Sequence, residues 1–182
     1  KMRVITPCDV HEARKATIAS AKIWGPVYMR FAREKTPVIT TEKTPFTPGK
    51  SIILWESKKP QVAIIGCGPL LYQSLLTAKA LESLKIGSIV LDSHTIKPLD
   101  EEGILSVVKK CGAVVSVEEH QVIGGLGGAV AELLAKKMPR PMEFIGMQDT
   151  FGESGNPDEL YEKYGMSEKS IISAAKKVIR RK

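Results

Sequence analysis

Val114–Ala135 reads VVSVEEHQVIGGLGGAVAELLA, and the fold is decided there. The order is strand, glycine turn, helix. Val114, Val115 and Val117 form a short β-branched run of the kind that fills a buried parallel strand. Glu118, Glu119 and His120 stand where that strand should end, at the carboxyl edge where open α/β sheets place their sites. Gly124, Gly125, Gly127 and Gly128 permit a sharp turn or a close backbone approach. Ala129, Val130, Leu133 and Leu134 follow at helical spacing.

The turn has two readings. A helix start offers unpaired N–H groups and partial positive charge, which suits an anion. Alternatively, the glycines let helix and sheet, or two subunits, pack closely. The acidic pair just upstream would repel a phosphate, which favours packing. GGLGG is neither G-x-G-x-x-G nor a P-loop, since no Gly-Lys-Ser/Thr follows.

Strands and helices alternate on both sides of this unit. Upstream, Gln61–Gly66 is a buried strand turned by Gly66-Cys67-Gly68 into a helix over Pro69–Lys85, with Pro69 in the first turn. Ser88–Asp92 is the next strand and Asp100–Lys110 the next helix. Downstream, Leu126–Lys137 is a helix and Met142–Gly146 a closing strand. The polar loop Gln148–Pro157 then leads to helices over Asp158–Tyr164 and Ser167–Lys177. Such alternation predicts an α/β fold with a doubly wound, mostly parallel five-stranded sheet, Ser51–Trp55 supplying its edge strand. Asp92 lies within range of Gly66-Cys67-Gly68 for a dinucleotide fingerprint, but the same glycines serve a tight turn anyway. His94 is an acid/base candidate by type alone.

The first segment is built differently. Arg3–Thr6 is a short strand, Asp9 an N-cap, His11–Trp24 a helix stopped by Gly25-Pro26, and Val27–Phe31 another strand. One βαβ unit cannot bury both faces of its own sheet, so the remainder is expected from absent residues or another chain. Arg30 and Arg33 close the second strand in VYMRFAREKTP, where arginine suits bidentate capture of phosphate or a surface bridge to Glu34. His11-Glu12 has no second histidine four residues on and is no metalloprotease signature. From Thr36 to Lys59, proline, threonine and charge mark a linker.

Composition bounds the rest. The chain has 182 residues, 43% hydrophobic and 26% charged, with no run near the roughly 18–20 apolar residues of a membrane helix and no signal peptide, so the cytoplasm is expected. Cys8, Cys67 and Cys111 form no C-x-x-C pair and read as buried thiols, with no zinc motif. The net charge of +7 is spread along the chain rather than clustered, and the one dense basic run complements the end of the last helix. No nucleic-acid or membrane partner is expected. No nucleophile, base and third partner assemble from these pieces, so no catalytic residue and no metal ligand is assigned.

The motifs TPCDVHEA, VYMRFAREKTP, QVAIIGCG, HTIKPLD, VVSVEEHQVIGGLGGAVAE and DTFGESGNPDELYEKYGMS give a further reading. The chain resembles the C-terminal part of transketolase nearly end to end. The middle motifs are shared across thiamine diphosphate enzymes, including deoxyxylulose-phosphate synthase and 2-oxo acid dehydrogenase beta subunits. The tail is closer to transketolases. The resemblance implies that residues 1–43 end a pyrimidine-binding-type domain, 44–60 are linker and edge strand, and 61–182 are the main body of the C-terminal domain.

It further implies a dimer of the pentose phosphate pathway moving a two-carbon ketol unit between sugar phosphates, with thiamine diphosphate and a divalent metal, Mg or Ca. The family's cofactor-binding and catalytic residues lie before the equivalent of Lys1. This chain alone is therefore expected to hold no cofactor, to be inactive, and to need an N-terminal catalytic portion or subunit. Arg33 matches the family's strand-end arginine that grips the sugar phosphate, with Arg30 in reserve. Glu118, Glu119, His120, Gly124, Gly125, Gly127 and Gly128 become interface or structural-turn residues. The alternatives are a module of a related thiamine diphosphate enzyme acting in partner docking, and a free-standing nucleotide-binding protein.

Overall fold

The computed structural model describes all of Lys1–Lys182 as eight strands and six helices. The larger sheet contains β3 (Ile52–Glu56), β4 (Pro60–Gly66), β5 (Gly87–Asp92), β7 (Val114–Gln121) and β8 (Met142–Met147). Its order is β3-β5-β4-β7-β8, all parallel except the edge strand β3, which runs antiparallel to β5.

Period-two alternation sends neighbouring side chains to opposite faces. Val62 and Ile64 meet α2 (Leu71–Ser83) and α6 (Glu168–Ile179) through Ala78, Leu81, Ile171 and Val178. Ala63 and Ile65 meet α3 (Glu101–Cys111) and α4 (Leu126–Lys137) through Ile104, Val108, Val130 and Leu134. Both faces are thus covered, which is why these strands read as unbroken apolar runs rather than as alternation. A single 3₁₀ turn, Gly68–Leu70, carries Pro69 ahead of α2. All three cysteines are buried free thiols.

The N-terminal sheet holds β1 (Arg3–Ile5) and β2 (Val27–Met29), parallel and joined through α1 (Val10–Ser20). The chain itself supplies one further strand of this sheet, whose remainder was expected from absent residues or another chain. β6 (Thr95–Lys97), from the connection after β5, pairs antiparallel with β1. Three residues ending before Pro98 carry too little pattern to read as a strand. Backbone bonds fasten the sheets at Thr6, whose N–H donates to His94 O at 2.8 Å and whose carbonyl accepts from Gly68 N–H at 3.1 Å.

Two boundaries also moved. Helix α1 ends at Ser20 rather than Trp24, because Lys22 and Ile23 turn back on Ala19 and Ser20 in i→i+3 bonds ahead of Gly25 at φ +107°. Strand β7 runs on to Gln121, since Gln121 still pairs with Met147. Asp9 caps α1 as expected, accepting Glu12 N–H at 3.0 Å, and its other oxygen accepts Ile39 and Thr40 N–H, pinning the linker. The last helices are α5 (Pro157–Lys163), capped by Asn156, and α6, preceded by Ser167. No helix is long and apolar enough to cross a membrane.

Candidate functional site

The carboxyl ends of β2, β4 and β7 converge on one side of the molecule, as strand ends do in parallel sheets. Two adjoining hollows lie there. One is lined by Arg33, Lys35, Tyr72, Gln73, Glu119 and Tyr161. The other is lined by Thr6, Tyr28, Arg30, Cys67, Glu118, His120 and the turn Gly124-Gly125. Glu119 borders both.

Arg33 is exposed and takes part in no ion pair; the alternative bridge to Glu34 is not formed. Arg30 is half-buried, and its charge acts on Glu118, Glu119 and Tyr161. Burial pushes the Glu119 carboxyl up, with Arg30 opposing. Burial and then the Glu119 charge push the Tyr161 hydroxyl up to about 12. Both hollows mix charge: Arg33 and Lys35 stand with Glu34 and Glu119 in one, and Arg30 stands with Glu118 and Glu119 in the other.

At the glycine turn the chain places one of its own carboxylates. Glu118 is buried, and its Oε2 and Oε1 accept the N–H groups of Leu126 and Gly127, each at 2.8 Å. The start of α4, open to an anion on the sequence reading, is filled by the chain's own carboxylate. The glycines make room for it. A Cβ on Gly125 would strike the Glu118 carboxylate and come within 2.8 Å of Gln121 O. One on Gly127 would lie 2.7 Å from Ser116 Oγ and 2.8 Å from Phe144. Gly124 turns the chain at φ +77°, whereas Gly128 has ordinary space. Burial raises the Glu118 carboxyl, against the lowering by those two amide bonds, His120 and Arg30. His120 is exposed, its Nδ1 2.8 Å from Gln121 O.

Sequence reasoning weighed Asp92 only for a dinucleotide fingerprint and Glu12 only within a rejected metalloprotease signature, yet both are buried and close to each other and to Cys8. The one available signal was Glu12 lying four residues before Ala16 on the buried side of α1. His94 is buried, its Nδ1 2.9 Å from Thr95 Oγ1 and its ring stacked on Phe46 at 4.2 Å. It is a held loop residue rather than an accessible acid or base. The Cys8, Glu12 and Asp92 trio does not fit a magnesium diphosphate, because it is sealed from solvent, includes a thiol and presents carboxylates that would repel phosphate.

Residues 50–171 match the transketolase C-terminal domain family. A 6-deoxy-6-sulfo-D-fructose transketolase subunit of Clostridium sp. (strain MSTE9) is 41% identical over 181 residues, covering 100% of this chain and 56% of that protein. A putative transketolase C-terminal section of Methanocaldococcus jannaschii is 37% identical over 93% of this chain and 53% of its own length. Among solved structures, a split-gene transketolase described as an inactive beta4 tetramer superposes with a TM-score of 0.93 at 38% identity, over 98% of this chain and 58% of that one. The chain thus spans little more than half the length of these relatives.

Proposed function

The chain belongs to the transketolase C-terminal domain family, and we propose that it is the trailing portion of an enzyme that moves a two-carbon ketol unit between sugar phosphates. In this reading, residues 1–43 end a pyrimidine-binding domain, 44–60 are linker and edge strand, and 61–182 are the body of the C-terminal domain. An N-terminal catalytic portion, on the same or another polypeptide, supplies the site for thiamine diphosphate and its divalent metal. This portion contributes subunit contacts, completion of the fold and part of the substrate-anion site.

The observation that carries the reading is Arg33, exposed at the rim of a hollow beyond the end of β2 and free of any acidic partner. An unpaired guanidinium offers two parallel N–H groups to a terminal oxyanion. Lys35 beside it has the same sign, and Arg30 lies one hollow away. The sulfo-sugar relative widens the ligand class to a terminal phosphate or sulfonate. Trp24 and Phe151, 98% and 99% exposed, are the apolar groups we assign to subunit contacts in a dimer.

A second reading has its own support in a deoxyxylulose-phosphate synthase of Caldanaerobacter, 34% identical over 92% of this chain. There the chain would serve as a docking module of a related thiamine diphosphate enzyme. Co-expression with the N-terminal chain or segment, followed by a two-carbon transfer assay, separates the two. Transfer from a ketose phosphate to an aldose phosphate, absent from either piece alone, is the expected result. Turnover of a 2-oxo acid by the same assembly would sink the transketolase reading.

A further inference from the structure

The seam between the two sheets contains buried acid groups with no positive neighbour. Cys8 lies between β1 and α1, Glu12 stands in the first turn of α1, and Asp92 ends β5. Their relative exposures are 2%, 2% and 0%. One potential ligand atom from each lies within 4.8 Å of the other two. Glu12 Oε2 accepts the Cys8 N–H at 2.7 Å, but Glu12 Oε1 and both Asp92 oxygens have no hydrogen-bond partner. Leaving buried carboxylate oxygens unmet is expensive, and a native structure normally answers each of them.

Nothing nearby neutralises them. Neither Glu12 nor Asp92 joins any ion pair of the chain. Asp9 adds a third negative charge, but its oxygens are already taken by Glu12, Ile39 and Thr40. Next along the chain from Asp92, the Ser93 hydroxyl and the His94 Nε2 are likewise buried without partners. Burial, and next the Glu12 charge, hold the Asp92 carboxyl well above the ordinary carboxylate range.

A shared proton could join one Asp92 oxygen to Glu12. The His94 backbone N–H would then face the Asp92 carboxylate and the Cys8 thiol would donate to Glu12, so a proton is the competing occupant of this site. A divalent cation meets the carboxylates and the sulfur together. We propose that Cys8, Glu12 and Asp92 form a buried site for a divalent cation of zinc's class, with a water as the fourth ligand. The donor set selects the ion. Magnesium and calcium take oxygen ligands, whereas zinc accepts thiolate, carboxylate and imidazole in a four-coordinate shell. In the metal-free site, burial and the adjacent carboxylates hold the Cys8 thiol protonated; coordination would deprotonate it. Since the ligands come from the β1–α1 segment and from β5, a bound ion would tie the two sheets together at the point where Thr6 already fastens them.

The test uses the full-length polypeptide that carries this sequence, purified without chelator and also refolded in zinc or cobalt(II). Elemental analysis is expected to find a single zinc ion per chain, and the cobalt form to show thiolate-to-cobalt charge-transfer absorption in the near ultraviolet. Cys8→Ser should abolish that band, and Asp92→Asn should weaken zinc binding at least roughly tenfold, as loss of a ligand or its support does. Zinc retained equally by both variants would be adventitious surface metal and would overturn the assignment. If Cys8→Ser does not fold, the wild-type cobalt spectrum decides alone. A folded wild-type chain with no such band and no bound zinc holds a proton between Glu12 and Asp92 instead, and the proposal fails.

Discussion

The Glu118 carboxylate and the Gly127 amide, nine positions apart in the chain, meet across 2.8 Å at the first turn of α4. With the matching bond to Leu126, one side chain satisfies two of the four N–H groups that a helix start leaves open. Glu118→Ala should lower unfolding stability by about 1.5–3 kcal/mol, the range for hydrogen bonds to a charged group. Glu118→Gln, which keeps one acceptor oxygen, should lose clearly less. Urea titration of both variants checks the order, and equal losses would mean that the cap is not what holds α4.

The same geometry ranks the glycines. Gly127→Ala drives a methyl toward Ser116 and Phe144, and overpacking of this kind costs about 1–3 kcal/mol. Gly128→Ala meets only Val122 O at 3.9 Å and should stabilise slightly, because alanine favours a helix interior. Thermal melts of the two variants should move in opposite directions. A Gly127→Ala protein as stable as the wild type would contradict the close approach.

Asp100 should contribute to acid sensitivity. Burial alone would raise its carboxyl, but the Ser51 N–H at 2.8 Å, the Ser51 hydroxyl at 2.7 Å and the Lys50 charge hold it below the usual range. A depressed folded value means stability that is fully present above the unfolded carboxylate pKa, about 3.9. That stability is lost as pH falls through the lower folded value. Asp100→Asn should therefore be less stable at neutral pH and show a flatter decline between neutral and acid conditions. Parallel pH profiles for wild type and variant would remove Asp100 from the account.

Arg33→Ala, made in the assembled enzyme, should raise KM for substrates with a terminal phosphate or sulfonate by roughly 10- to 150-fold, equivalent to about 1.5–3 kcal/mol. Neutral sugars should change little. Equal effects on charged and neutral substrates would argue against an oxyanion contact at Arg33.

Much of the C-terminal sheet was legible because its strands are buried on both faces. Runs such as Val62–Ile65 and Val114–Val117 are buried throughout, the pattern of a parallel strand covered on both sides. β6 was not legible, since Thr95–Lys97 is short, half polar and defined only by its partner β1. At the candidate site, sequence placed Arg30, Arg33 and the glycine turn at strand ends. It grouped Glu118 with interface or structural-turn residues and did not foresee the helix cap, because local pattern does not reveal which way a side chain at a strand end turns. The approach of Glu12 to Asp92 was invisible for a different reason. It joins two positions far apart in the chain, and periodicity reports only on neighbours.

The pairing of β6 with β1 also sets a timetable for synthesis. Arg3–Ile5 leave the ribosome well before the strand that closes one side of them, which includes Thr95 and Lys97 and follows β5. The opening segment must wait with an unpaired strand edge while the linker, β3, β4, α2 and β5 are translated. During that interval it is exposed to aggregation and to chaperone capture. Nascent chains arrested before Thr95 should therefore be far more protease-sensitive around Arg3–Ile5 than chains arrested beyond Pro98.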